Sequence, residues 1–251
     1  MNLSVEDRGG ADPMLFIHGW CGDRSHFGHQ LDHFGQTHRV LVPDLPWHGR
    51  SPADGPITVA AFAGAIADHL DNAGLEQVLV VGHSLGGSVA LQLASERPDL
   101  VRGLVALDAG FAMKRDLLAG FAQIATELRT DKYRHAIQVL SNGLYVPSDD
   151  PAVRAPIEEQ MIGTSQRVLV DGIQASLDYL NNDADERYAA LPMPVAVLSG
   201  SDPLSDVARL SDMRPDTLFG QVVASGHYIQ VFAAEQVNVM IRQFVRVFNM
   251  A

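Results

Sequence analysis

The sequence has one cysteine, Cys21, among 251 residues, so it holds neither an internal disulfide nor a cysteine-rich zinc site. No apolar run reaches the length of about eighteen residues that reads as a membrane span. The opening residues, MNLSVEDRGG, lack the basic and apolar regions of a signal peptide, which makes a cytoplasmic protein the expectation. Positive charge is scarce too. Eighteen Lys and Arg stand against 30 Asp and Glu, a formal net charge of −12. That balance opposes nucleic acid or an anionic membrane as partner, since both need a basic face. A small-molecule substrate is the expected partner, and oligomeric state is not legible. The acidic residues form no long run, so the charge reads as solubility. What remains is 47% hydrophobic and 19% charged, the composition of one folded domain with an ample core.

The stretch Val78 to Gly87, VLVVGHSLGG, organises the rest. Four apolar residues run into Gly82-His83-Ser84-Leu85-Gly86, and a helical pattern follows through Ala94. This is strand, sharp turn and helix, with G-x-S-x-G at the turn. A serine hydroxyl is a poor nucleophile unless it is fixed beside a base and near amide donors, and such a turn exposes it at the carboxyl edge of a sheet. A five-residue pattern also arises by chance in glycine-rich chains. Here the strand and helix flanks are those the chemistry requires.

In chain order, Leu3–Glu6 reads as a weak edge strand and residues 14–17 as a buried strand ending in His18-Gly19-Trp20. Residues 25–34 read as a helix with Ser25 as N-cap, 40–42 as a strand, and 58–72 as a helix capped by Thr58 and ended by Gly74. After the strand 104–107 the pattern changes. Residues 110–190 carry amphipathic helical stretches at about 113–129, 132–141, 151–163 and 166–182, with no convincing strand. Alternation then resumes with strands at 195–198 and 218–223 and a helix over 234–248. The expected fold is α/β, a mostly parallel doubly wound sheet. Its core would comprise residues 1–109 and 191–251, with 110–190 inserted as a helical lid.

Sites in open parallel sheets assemble at the carboxyl ends of strands. Ser84 follows the central strand, Asp202 follows the 195–199 strand in SGSDP, and His227 follows the last strand in SGHY. Singly, each has an ordinary reading: Asp-Pro is a common turn, and most of ten histidines must be surface or packing residues. Their order, Ser then Asp then His, gives them joint meaning. The loop after the first core strand offers the N–H of Trp20 as an oxyanion donor, and the N–H of Leu85 offers a second.

On HGW at 18–20, PDLPWHGRS at 43–51, GHSLGG at 82–87, SGSDP at 199–203 and SGHY at 225–228, the chain resembles the α/β-hydrolase superfamily in its compact, lid-bearing branch. The resemblance implies Ser84 as nucleophile, His227 as base, Asp202 as its orienting acid, and Trp20 and Leu85 as oxyanion donors. It implies acyl transfer with no metal or organic cofactor, and hydrolysis of a carboxylic ester or lactone. Three departures stand out. Trp47 replaces a usual glycine and is expected to line the pocket. The acid loop is one residue short between Gly200 and Asp202. Phe232 takes the place of a familiar acidic residue after the histidine.

Some members of the superfamily place their acid where Asp108 stands, so Asp108 is the alternative. The same fold also serves C–C bond hydrolases and cofactor-free 3-hydroxy-4-quinolone 2,4-dioxygenases. The latter resemble this chain at HGWC but usually carry histidine where it has Leu85. Outside enzymes, the fold serves as a ligand-binding module. Lid residues Phe111, Met113, Tyr133, His135, Tyr145, Met161 and Tyr179 are candidate lining residues, each with lid core as its alternative.

Overall fold

The computed structural model describes residues 2–250. Seven strands form one sheet in the order β1-β3-β2-β4-β5-β6-β7. They are β1 (Val5–Arg8), β2 (Pro13–Ile17), β3 (Arg39–Pro43), β4 (Val78–His83), β5 (Val101–Leu107), β6 (Val195–Ser199) and β7 (Leu218–Gln221). Only β1 runs antiparallel, against β3; the other neighbours are parallel. The parallel sheet is covered on both faces, so its strands are buried runs and do not alternate with polar residues.

The side-chain period of two sorts those runs. Val78 and Val80 of β4 join Leu15, Ile17, Leu104 and Val197 in one core layer, whereas Leu79 and Val81 join Phe16, Val105 and Leu198 in the other. The first layer is closed by α2 (Val59–Asn72) and α3 (Leu85–Glu96), through Phe62, Ile66, Val89 and Leu93. The second is closed by α1 (Gly28–Phe34) and the C-terminal helix, through Leu31, Phe34, Val237, Ile241 and Phe244. Each such aliphatic or aromatic side chain stabilises the fold by about 1.5–3 kcal/mol through burial.

Between β5 and β6 the chain forms α4 (Arg115–Glu127), α5 (Tyr133–Gly143), α6 (Pro151–Gly163), α7 (Gln166–Asn182) and α8 (Ala184–Ala190). The inner faces of α4–α7 share a separate core of Ala125, Leu128, Ile137, Met161, Leu169, Ile173 and Leu177, onto which Cys21 and Trp20 also pack, whereas α8 buries Ala184 and Tyr188 in the central core. After β6 come α9 (Val207–Met213), the short α10 (Ile229–Phe232) and α11 (Ala234–Val247). No helix among the described residues is long and apolar enough to cross a membrane.

Several ends differ from the sequence reading. Arg24–Phe27 is a 3₁₀ turn capped by Asp23, whose carboxylate accepts from Ser25 N–H at 2.8 Å; α1 begins only at Gly28. The edge strand lies at Val5–Arg8, two residues beyond the expected start, because its register is set by pairing Val5 with Pro43. Thr58 does cap α2, accepting from Ala61 N–H at 3.1 Å.

Candidate active site

Ser84 sits between β4 and α3 with φ 53° and ψ −121°, a left-handed conformation that a serine adopts only where its surroundings enforce it. The enforcement is steric. A Cβ on Gly82 would come within 2.3 Å of the Gly86 carbonyl, and one on Gly86 within 2.2 Å of the Ile17 carbonyl. Only glycines let strand, helix and the neighbouring β2 meet this closely. The Ser84 N–H donates to Leu107 O at 3.0 Å, and the Asp108 N–H donates to Leu198 O at 2.7 Å. The ends of β4, β5 and β6 are thereby stepped beside one another.

His227 lies in the loop after β7, and its Nδ1 is 2.7 Å from Asp108 Oδ2. Asp108 is 3% exposed, and its other oxygen accepts from Gly200 N–H at 3.1 Å. The expected acid, Asp202, is elsewhere. Its side chain is 87% exposed and pairs with Lys114 at 3.1 Å. The short loop after β6 explains the correction. Gly200 is pinned beneath Gly226 and bonded to Asp108, and Ser201 N–H donates to Ser225 O at 2.9 Å. The next residue, Asp202, therefore points outward. The β6 loop supports the carboxylate of Asp108 and does not supply one.

The loop carrying Trp20 is fixed from two sides. The Trp20 indole donates to Val168 O on α7 at 3.2 Å. Arg24 binds the buried Asp44 carboxylate with its backbone N–H at 2.9 Å and its guanidinium at 2.5 and 3.1 Å, tying the 18–24 loop to the 44–51 loop. Burial works against the Asp44 charge, but Arg24 and the Arg50 N–H outweigh it and hold this carboxyl below its ordinary range. The Trp20 and Leu85 amides enter no turn or ladder bond among the described residues. Trp47 does not face Ser84. Its indole donates to Gly55 O at 3.1 Å and lies under Arg167 at 4.3 Å, so the expected lining role is corrected.

Four buried histidines surround this centre. His18 accepts from Leu45 N–H through Nε2 at 3.0 Å and lies 2.8 Å from Gly19 O through Nδ1, which fixes its neutral tautomer. Burial, with His48 nearby, lowers it to about 3. His48 accepts from Cys21 N–H at 3.3 Å. His83 donates through Nε2 to the His227 carbonyl at 3.0 Å, and burial holds it well below its ordinary value. His26 meets Gln160 at 3.1 Å and is lowered by burial as well. The Cys21 thiol is pushed up by burial and is no nucleophile.

Ser84 opens onto a cavity of about 60 Å³ lined chiefly by Trp20, Leu85, Met113, Phe121, Leu177 and Leu180. A single water takes about 10–15 Å³ of such space, so the cavity holds only a few water-sized groups. Of the lid residues singled out from sequence only Met113 lines it; Phe111 and Tyr179 belong to the central core and Met161 to the insertion core. Ile173, Leu177 and Leu180 on α7 were missed, although their i, i+4, i+7 spacing was available. Phe121 and Leu204 also wall an apolar groove of about 460 Å³ between α4 and α5.

Residues 14–239 match the sequence model of an alpha/beta hydrolase family. Lipase LipV of Mycobacterium tuberculosis is 35% identical over 166 residues, 64% of this chain and 63% of that protein, so the match spans less than two thirds of LipV's length. The pimeloyl-[acyl-carrier protein] methyl ester esterase of Neisseria meningitidis serogroup B is 32% identical over 195 residues, 74% of this chain and 71% of that protein. A thermophilic esterase from Thermogutta terrifontis superposes with a TM-score of 0.84 at 25% identity, covering 97% of this chain and 93% of that one.

Proposed function

The chain belongs to the alpha/beta hydrolase family, and from that membership we propose that it is a serine hydrolase cleaving a carboxylic ester or lactone of a small, largely apolar substrate. What carries the reading is the His227–Asp108 pair, 2.7 Å apart, at the strand ends next to the strained Ser84. Asp108 Oδ2 accepts the His227 Nδ1–H, which leaves Nε2 free to take a proton. His227 takes the Ser84 proton as Oγ attacks the carbonyl carbon, and the oxyanion is held by the Trp20 and Leu85 amides. The imidazolium then protonates the leaving alcohol. Water, deprotonated by the same nitrogen, releases the acid. The names of the relatives, a lipase and two esterases, support ester chemistry. Helices α4–α8 act in this reading as the lid that shapes the acyl pocket.

The test is hydrolysis of p-nitrophenyl esters together with labelling by a fluorophosphonate. One adduct per chain is expected, lost in Ser84→Ala. Labelling that persists in the variant moves the nucleophile elsewhere. One observation favours a second reading: Asp108 at the end of β5 is the acid position of the cofactor-free quinolone dioxygenases resembled at HGWC. Leu85 stands against it. Oxygen uptake on a 3-hydroxy-4-quinolone, with no ester turnover, would select that reading.

A further inference from the structure

We propose that Asp149 is a positioning residue for His227, the anchor of a strap, Leu144–Asp149, by which the helical insertion holds the base in place. The inference rests on reading His227 as the general base. The strap leaves the end of α5 and runs along the histidine loop. Leu144 O accepts the His227 N–H at 2.7 Å. The Asp149 carboxylate, 5% exposed, accepts the Gly226 N–H with both oxygens at 3.3 and 3.2 Å, and the Val146 N–H at 3.0 Å. Ser148 Oγ donates to Ala224 O at 3.1 Å. Tyr145 stacks on Tyr228 with ring centroids 5.5 Å apart at 25°.

Two backbone features indicate that this contact is built and under load. Ala224 is held at φ 58°, a conformation an alanine keeps only when its surroundings over-determine it. Gly226 admits no side chain, since a Cβ there would lie 2.4 Å from Leu144 O and 2.9 Å from Asp149 Oδ2. The strap thus grips the backbone of residues 224, 226 and 227 in turn. On the other side the same loop is held by Ser201, whose N–H donates to Ser225 O and whose Oγ accepts from Ser225 N–H at 3.2 Å. The His227 ring has two constraints of its own, Asp108 at Nδ1 and the backbone it hangs from. The insertion shares the second with the core, holding the His227 N–H through Leu144 O while His83 holds the carbonyl. Phe232, which replaces the acidic residue expected after the histidine, packs edge-on against Tyr145 at 5.9 Å and extends the contact. A base displaced by about 1 Å can lose about a hundredfold in rate. Docking of the strap is therefore a condition of turnover, separate from the insertion's lining of the cavity.

The experiment compares Asp149→Asn and Asp149→Ala with Gln138→Ala, which removes a 2.8 Å bond to Glu158 inside the insertion. It measures kcat and KM on p-nitrophenyl acetate, the rate of fluorophosphonate labelling, the melting temperature, and the histidine ring resonances of ¹³C-histidine-labelled protein. The Asp149 variants are expected to lose about ten- to a hundredfold in kcat with KM within about twofold. Labelling should slow in parallel, and the His227 resonance should shift or broaden while those of His18 and His48 stay in place. Gln138→Ala should leave all of these near wild type. Ser148→Ala, expected to move the same readouts less, serves if an Asp149 variant does not fold. Wild-type kcat and an unmoved His227 resonance in variants that only melt earlier would overturn the proposal. A wild-type protein that neither cleaves esters nor takes the label would sink the hydrolase reading instead, and the His227 resonance would then decide on the strap.

Discussion

Replacing Asp108 by asparagine tests the catalytic arrangement most directly, because the structure dictates which way the amide turns. Gly200 N–H, 3.1 Å from Oδ1, needs an acceptor, so the carboxamide oxygen stays there. The NH₂ then takes the place of Oδ2, 2.7 Å from His227 Nδ1. It donates to Nδ1 and drives the ring proton to Nε2, the nitrogen that receives the Ser84 proton in the proposed mechanism. Turning the amide over would leave two buried donors facing each other, costing about 1–3 kcal/mol, so the flip offers no escape. A wrong tautomer of this kind lowers kcat by about 10⁴, equivalent to roughly 5.5 kcal/mol in the barrier. Asp202→Asn removes only an exposed pair with Lys114, worth about 0–1 kcal/mol, and should leave kcat within about threefold of wild type. The assay is kcat on p-nitrophenyl acetate for both variants side by side, with melting curves to confirm folding. If Asp202→Asn suffers the larger loss, or Asp108→Asn keeps more than about a tenth of the turnover, the reasoning fails.

Phe121→Ala should join the Ser84 cavity to the groove between α4 and α5, raising the octanoate-to-acetate ratio of kcat/KM by about tenfold or more. An unchanged ratio across a chain-length series would place the acyl pocket elsewhere. Asp44→Ala strands the Arg24 guanidinium in a mostly buried position, and urea denaturation should register a loss of about 3 kcal/mol or more. A loss near zero would mean that the pair only orients its loops. Stability should also depend on pH through His18, His26, His48 and His83, each lowered by burial from an ordinary value near 6.5. Above pH 6.5 both folded and unfolded chains hold these rings neutral, so they leave stability unchanged. Below it the unfolded chain binds protons that the folded chain refuses, and each ring withdraws up to about 1.4 kcal/mol per pH unit. The melting temperature should be level from pH 8 to 7 and fall from about pH 6.5 downward; a level curve to pH 4.5 would show that these rings take up protons without unfolding.

Much of the fold was legible because local and global signals coincide. The run VLVV is buried on both faces, and only a strand inside a doubly covered sheet fits it. The α7 boundaries, 166–182, are legible because its apolar face repeats at helical spacing, and in the structure Ser165 caps the helix. The α1 start is not legible because a 3₁₀ turn and an α-helix share the same short apolar spacing. There the deciding residue was Asp23, not Ser25. β1 was misplaced for a different reason. An edge strand takes its register from its partner, and VEDR has little pattern of its own.

The site separates in the same way into what local chemistry fixes and what depends on distance through space. Ser84 is legible because its turn needs glycines two residues away on either side. His227 is legible because its loop follows the last strand. The acid is different, since two strand ends present an aspartate and sequence order admits both. The signal that separates them is loop length. With one residue fewer after Gly200, the β6 loop cannot carry a side chain back beneath the histidine, and its own Gly200 N–H takes the supporting role. In the proposed triad the shortened loop after β6 is the counterpart of a carboxylate placed one strand inward, at Asp108, where β5 adjoins the strand that carries Ser84. Asp149 had no such local trace. It precedes Asp150 and Pro151, which together read as an ordinary helix start, and its contact with Gly226 joins residues 77 positions apart. Pairings of that kind come from how the insertion seats on the core, and a pattern read along the chain does not contain them.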